Sequence, residues 1–328
     1  MKLGIVGSNF ISDWLIEAAG QVPEAEICAV YSRKQETGDA FAGRHGIPNV
    51  YTDYDKFLES EIDAVYIATP TYAHCGQAIE AMKHKKHVLC EKILAVNERE
   101  AAAMFTCAEE NGVVLLEAMR PDFDPAYNLI REHLPKIGKL RRVTAEYCQY
   151  SSRYDKFRQG EVLNAFNPEL SNAAIMDIGV YCIHTLVRML GMPKEIKAIS
   201  TKLENGFEGS GIVLMQYDDM MAEAVYSKIT DSVNPGIFQG EEGSILIYGI
   251  AMPQSMEIVY RDGKREAIPY TPAPNNMVYE VREFVRLAQE KCSGHPYRKY
   301  SLDTLCVTDE DRTGLYFMRI QCYNSTSV

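Results

Sequence analysis

From Lys2 to Glu117 short apolar runs alternate with segments of helical spacing, and this alternation restricts the fold more than any other feature of the chain. Lys2 to Val6, Ile27 to Tyr31, Asp63 to Ala68, His87 to Cys90 and Val113 to Glu117 read as strands. Between them Phe10 to Ala19, Glu36 to His45, Tyr72 to His84 and Asn97 to Asn111 read as helices, the last with Asn97 as its N-cap. Strands alternating with helices of this length imply βαβ units, hence a parallel sheet with helices on both faces.

After Glu117 the grammar changes. Pro121 and Pro125 interrupt it, a helix runs to about Leu134, and Leu140 to Tyr150 alternates like a half-buried strand. From Lys194 to about Ile268 strand-like runs are separated by Asp218-Asp219, Gly240-Glu241-Glu242-Gly243 and Asp262-Gly263, as in an antiparallel sheet. Helical segments near Asn276 to Glu290 and Leu302 to Gln321 close the chain, the second with Ser301 as candidate N-cap. The expected fold is α/β: a doubly wound parallel domain over 1–119, then an α+β domain with an open, mostly antiparallel sheet over 120–328. The closing helices are candidates to pack back on the first domain.

The chain has 328 residues, which suits two domains. Its net charge of −11 repels phosphate backbones and anionic lipid, so neither nucleic acid nor membrane is an expected partner. No apolar run approaches the roughly 18–20 residues of a membrane helix, and the apolar start is too short for a signal peptide. Nine cysteines lie scattered with no C-x-x-C pair, which reads as free thiols in a reducing compartment, the cytoplasm.

The first strand runs into Gly7-Ser8-Asn9-Phe10-Ile11-Ser12. A dinucleotide loop of the Rossmann type wants G-x-G-x-x-G/A, and only Gly7 survives. Asn9 tolerates a left-handed backbone better than most residues, and Ser12 is small enough for close helix–strand packing. The same residues also suit a plain strand–turn–helix; their place after the first strand favours a nucleotide. NAD enzymes carry Asp or Glu at the end of the second strand for the ribose 2′-hydroxyl. Here the strand ends Tyr31-Ser32-Arg33-Lys34, a hydroxyl and two cations, which favours the 2′-phosphate of NADP over NAD.

Glu91 and Lys92 stand at the carboxyl end of a buried strand, where open α/β sheets bind ligands. A partly desolvated Lys92 can exchange a proton with a substrate hydroxyl. Equally, the pair suits a strand-end lysine in water with Glu91 as its partner. Asp177, Tyr181 and His184 share one face if their segment is helical. They form either a proton-handling set or a helix start with two satisfied, half-buried groups. His84-Lys85-Lys86-His87 spans a helix end and a strand start rather than one face, so no metal site is expected.

Taken in order, Gly7-Ser8-Asn9-Phe10-Ile11-Ser12, Ser32-Arg33, Ala68-Thr69-Pro70 with His74, Glu91-Lys92 and Asp177-Ile178-Gly179-Val180-Tyr181 resemble the Gfo/Idh/MocA oxidoreductase family. The resemblance spans almost the whole chain, including the Gly240-Glu241-Glu242-Gly243 turn. It implies a Rossmann domain and an α+β domain whose open sheet often mediates oligomers, so a homodimer or tetramer is expected. It implies NAD(P)-linked hydride transfer on sugars, cyclitols or related alcohols. It adds Phe10, Ile11, Thr69, Pro70, His74, Glu91 and Lys92 to Gly7, Asn9, Ser32 and Arg33 as cofactor contacts. The family's lysine falls on Lys92, its aspartate on Asp177 and its acid/base position on Tyr181, where a tyrosine looks most like the dihydrodiol and xylose dehydrogenase branch. The chain departs from the family at Ile93, where many members have proline, at Ser171-Asn172-Ala173 in place of glycines, and at Asp122 in place of an arginine.

Two functions of other classes fit the same frame: a non-catalytic dinucleotide sensor, and a glycosidase with tightly bound NAD. The sensor's signature is loss of the Lys or the Asp, and both are present. For the dehydrogenase the expected base is Tyr181, with Lys92 favouring its phenolate, Asp177 orienting Lys92 or a hydroxyl, and His184 relaying the proton or binding another hydroxyl. Lys92 as the base is the alternative. A cis bond before a residue other than proline costs about 2.5–4 kcal/mol, so the Lys92–Ile93 bond is expected to be trans.

Overall fold

The computed structural model describes residues 1–313. The chain divides into two compact units, Met1–Phe123 with Ala273–Leu302, and Asp124–Pro272 with the described residues from Asp303.

The first unit runs β1 (Lys2–Val6), α1 (Phe10–Ala19), β2 (Glu26–Tyr31), α2 (Gln35–His45), β3 (Asn49–Tyr51), α3 (Tyr54–Leu58), β4 (Ala64–Ile67), α4 (Thr71–Lys83), β5 (His87–Glu91), α5 (Glu98–Asn111), β6 (Leu115–Ala118) and α6 (Arg120–Phe123). The strands form one parallel sheet in the order β3-β2-β1-β4-β5-β6. The order reverses at β1, which opens a crevice at the carboxyl ends of β1 and β4. β4 and the core of β1 are buried throughout, as strands covered by helices on both faces must be. Asn97 caps α5 as expected, its side chain accepting from the Glu100 amide at 2.9 Å. The short β3 and α3 carry too few residues to show a period.

The second unit contains α7 (Ala126–His133), β7 (Leu140–Cys148), α8 (Ser152–Arg158), a π-helical turn at Ile175–Gly179 and α9 (Val180–Leu190). Then follow β8 (Glu195–Lys202), β9 (Glu208–Gln216), β10 (Met221–Ser227), β11 (Gly236–Gly240), β12 (Gly243–Tyr248), β13 (Ser255–Tyr260) and β14 (Arg265–Ile268). The eight strands form one open sheet in the order β14-β13-β12-β11-β7-β10-β9-β8. Its pairs are antiparallel apart from β7 with β10. One face, with Val143, Ala145, Ala222, Ala224 and Val213 buried, takes α9. Adding a Cβ to Gly179 would bring it within 2.8 Å of the Tyr226 ring, so this glycine sets how closely the turn before α9 approaches β10.

Two helices close the described chain, α10 (Met277–Gln289) and α11 (Tyr297–Thr313). α10 returns to the first unit: Met277, Val281, Phe284 and Val285 share a core with Leu15 and Ala18 of α1. α11 starts five residues earlier than expected, after Pro296, so Ser301 is an interior helix residue and not an N-cap; it is 1% exposed. Proline is well suited to a helix start, where its missing amide would have no intrahelical partner. The remainder of the helix expected as far as Gln321 lies outside the described residues.

Candidate active site

In the first unit a cleft of about 800 Å³ opens at the carboxyl ends of β1, β2 and β4. Gly7 turns the chain out of β1 with φ +106°, and a Cβ there would meet the Ala68 carbonyl oxygen at 2.6 Å. Both the sign of φ and the space require glycine. Asn9 works differently from expectation. Its backbone is extended, at φ −97° and ψ 177°, and its side chain caps α1, accepting from the amides of Ile11 at 3.1 Å and Ser12 at 3.4 Å. Its Nδ2 donates to the Ala68 carbonyl at 2.7 Å, tying the α1 turn to β4. The buried Ser12 hydroxyl donates to the Gly7 carbonyl at 2.7 Å, so a small side chain allows the close approach. The positive end of α1 thus faces the cleft, as an anion site needs. Phe10 is 59% exposed at that end.

At the end of β2, Ser32 is buried and its Oγ both donates to the Lys34 carbonyl and accepts from the Lys34 amide. This shapes the turn that leaves Arg33 exposed on the cleft wall. Thr69 and Pro70 line the opposite wall, with the Thr69 hydroxyl donating to Gln77 Oε1 at 2.6 Å. Lys34, the second cation of that strand end, also lines the cleft, as do Thr37, Tyr72 and Gln77, which sequence reasoning missed. Tyr72 and Gln77 lie in the first two turns of α4, which starts after Thr69-Pro70, and that placement was the signal that could have found them.

His74 lies behind the wall at 1% exposure and does not line the cleft. Its ring nitrogens sit 2.8 Å from the Thr69 carbonyl oxygen and 3.1 Å from that of Ile93. Burial lowers its pKa against the opposing pull of these carbonyls. It therefore braces the Thr69 loop against the segment after β5 rather than meeting a cofactor directly. That segment corrects a further expectation: the Lys92–Ile93 bond is cis. Its surroundings fix the geometry, since Ile93 is buried, its carbonyl faces His74, and the Leu94 amide donates to Glu117 Oε1 at 2.9 Å. Lys92 is half-buried at the carboxyl end of β5.

Glu91, expected at the cofactor, is buried at 8% exposure and accepts from the Tyr66 hydroxyl at 2.6 Å. Burial raises its pKa, while Tyr66, Arg120 and Lys92 favour the carboxylate. Glu280 of α10 faces the same group with 0% exposure, and neither of its carboxyl oxygens has a hydrogen-bond partner among the described residues. Burial, then the neighbouring Glu91, push Glu280 well above the usual carboxylate range.

In the second unit Asp177 lies in the π-helical turn and Tyr181 and His184 in α9. The wider turn ends the regular spacing that would have set the three on one stripe, and they occupy different environments. The Asp177 side chain is 47% exposed and pairs with the Lys228 ammonium at 2.7 Å. Tyr181 is 6% exposed, with its ring 5.9 Å from that of Tyr147. His184 is fully buried, its Nδ1 2.9 Å from the Thr304 hydroxyl, which suits a core group better than a proton relay at a surface. Lys228, at the end of β10, had no signal in sequence: it follows an ordinary alternating strand.

A family model described as "Oxidoreductase family, NAD-binding Rossmann fold" matches residues 1–119, and one described as "GFO/IDH/MocA C-terminal domain" matches residues 129–246. Scyllo-inositol 2-dehydrogenase (NADP+) IolU of Bacillus subtilis is 46% identical over 88% of this chain and 89% of its own length. The uncharacterized oxidoreductase YgjR of Escherichia coli is 38% identical over 97% of this chain and 98% of its own. Among solved structures, the 3-ketoreductase KijD10 from Actinomadura kijaniata, in complex with NADP and TDP-benzene, superposes with a TM-score of 0.85 at 23% identity, covering 96% of this chain and 97% of that one.

Proposed function

The chain belongs to the Gfo/Idh/MocA oxidoreductase family, and on that premise we propose that it is an NADP-dependent dehydrogenase or reductase acting on a CH–OH group of a cyclitol, sugar or related polyol. The observation that carries this reading is the cleft at the switch point of the first sheet. It joins the glycine turn and the capped N-terminus of α1 to an arginine where NAD enzymes have a carboxylate. These residues fit a dinucleotide: Gly7 leaves room for close backbone approach, α1 offers its positive end to the pyrophosphate, and Arg33 with Lys34 meets a 2′-phosphate. When bound, NADP supplies the hydride acceptor or donor.

The chain's own groups handle the proton. Tyr181 takes the hydroxyl proton of the substrate in the oxidative direction, and Lys92 as that base is the alternative. Asp177 accepts a hydrogen bond from a second substrate hydroxyl through its exposed side. His184 supports α9 from within and is not a proton relay in this reading. The test is to mix the protein with NADP or NAD and a panel of scyllo-inositol, myo-inositol, xylose and a trans-dihydrodiol while following nicotinamide absorbance. Turnover with NADP and at least one polyol is expected. Binding of NADP without turnover on any polyol or ketone would overturn the enzyme reading in favour of a sensor.

The protein acts as a homo-oligomer in this reading. The outer face of the open sheet exposes Ile199, Ile212, Leu214 and Met221, where Ile199 pairs with Ile212 and Lys197 with Leu214 across strands. An apolar face of this kind suits a second copy. Sedimentation should give a dimer or larger, and Leu214→Lys should weaken it. The compartment is the cytoplasm, in keeping with cysteines that are all free among the described residues. No helix among those residues is long and apolar enough to cross a membrane.

A further inference from the structure

Lys228 is buried, with its side chain 6% exposed, which is costly for an ammonium group unless its surroundings replace water. Its neighbours do so. Asp177 Oδ2 lies at 2.7 Å, the Ala165 carbonyl oxygen at 3.2 Å, and the rings of Phe166 and Phe207 present their faces at 5.1 and 5.5 Å. Phe166 and Phe207 belong, with Phe157, to a small core of their own under the segment after β7.

Two features separate this pair from a structural salt bridge. First, it is lopsided. The ammonium is sealed, whereas the carboxylate it holds is 47% exposed. A carboxylate has about four acceptor sites, so one that Lys228 anchors through a single oxygen and that reaches the surface can accept from a further donor. If packing alone were wanted here, an apolar side chain of similar length would serve as well or better. Second, Lys228 holds both ends of one segment. Its carbonyl accepts from the Ser151 amide at 2.9 Å, and its ammonium donates to Ala165 at 3.2 Å. Between those anchors lies α8, which carries Arg153, Lys156 and Arg158. One residue therefore fixes both the carboxylate and the polar segment beside it.

We propose that Lys228 is a positioning residue for the dehydrogenase reaction: it holds Asp177 aimed at a substrate hydroxyl, and it anchors the 151–165 segment at both ends. This rests on the role given to Asp177 above. It predicts that the ligand hydroxyl met by Asp177 is a hydrogen-bond donor, as every hydroxyl of a cyclitol is, and that a deoxy analogue at that position loses the benefit.

The test uses the full-length protein with NADP and its best polyol. Lys228→Met should lower kcat on the order of 10–100-fold, the loss of one charge-assisted contact. The NADP dissociation constant should stay within about twofold, because the cleft of the first unit is untouched. Lys228→Arg, which keeps the charge, should recover most of the loss. The double variant with Asp177→Asn should be no slower than Asp177→Asn alone. If Lys228→Met does not fold, Lys228→Gln, which keeps a donor for Ala165 without the charge, takes its place with the same outcomes. Wild-type kcat in the neutral variant, or a loss that adds in full to that of Asp177→Asn, overturns the proposal while leaving the active-site reading intact. Wild-type kcat in Asp177→Asn overturns the active-site reading itself, and the proposal with it.

Discussion

The Tyr66 hydroxyl donates to Glu91 Oε1 at 2.6 Å between the neighbouring strands β4 and β5, in the interior of the first unit. Glu280 of α10 stands against the same carboxyl with 0% exposure, and Arg120 supplies the positive charge that faces both. Both carboxyls are raised by burial, Glu280 well above its usual 4.5. A carboxyl raised on folding takes up a proton as the chain folds. Its contribution is whole below the unfolded value near 4.5 and is lost as pH rises toward the folded value. Stability should therefore fall as pH climbs above about 4.5 toward the folded values, with a slope of at most about 1.4 kcal/mol per pH unit for each such group. Glu280→Gln should flatten that decline. Urea denaturation at a series of pH values reads it directly, and parallel declines in the two proteins would show Glu280 to be charged in the fold.

Arg33 is exposed on the cleft wall at the end of β2. Arg33→Ala should weaken NADP by about 1–3 kcal/mol, the value of a charge-assisted contact, and leave NAD nearly unchanged. Fluorescence titration of both cofactors decides it. Equal losses would mean that Arg33 does not meet the 2′-phosphate.

Gly7 combines φ +106° with a backbone oxygen at 2.6 Å from any added Cβ. Gly7→Ala has to shift the β1–α1 turn, costing about 1–3 kcal/mol. A lower melting temperature and weaker NADP binding are expected together. An alanine variant that melts and binds like the parent would mean the turn is not held by Ala68.

Tyr181→Phe should cut turnover by roughly 10²–10⁴-fold with NADP affinity unchanged, because the phenol acts on the substrate and not on the cofactor. Normal turnover in this variant would pass the proton-handling role to Lys92.

What could be read from the chain beforehand was whatever repeats within a dozen residues. Ile5, Tyr66 and Leu89 sit in runs whose continuous apolar character belongs to covered parallel strands, and Asn97 sits where an N-cap belongs. The order Gly7, Arg33, Lys92, Asp177, Tyr181 was likewise visible, because motifs keep their order in any fold. What escaped was set by distant partners. The cis bond after Lys92 is surrounded by His74 and Glu117, neither of them near it in sequence. Asn9 was read as a backbone residue and proved to be a cap, because its carbonyl partner on Ala68 is remote. The π-helical turn at Asp177 rearranged a stripe drawn at regular spacing, and Lys228 lies some fifty residues from the carboxylate it holds.

The return of α10 to the first unit bears on how the chain is made. Val281 and Val285 complete a core begun by Leu15 and Ala18, yet the ribosome delivers them only after all of Asp124–Pro272. Until then the helices of the first unit expose the apolar stripe that α10 will cover, while the second unit's sheet emerges in full. The nascent first unit is thus kept waiting with a sticky surface, which a chaperone would protect. For the same reason a fragment cut at residue 119 should express poorly however well it matches a cofactor-binding domain.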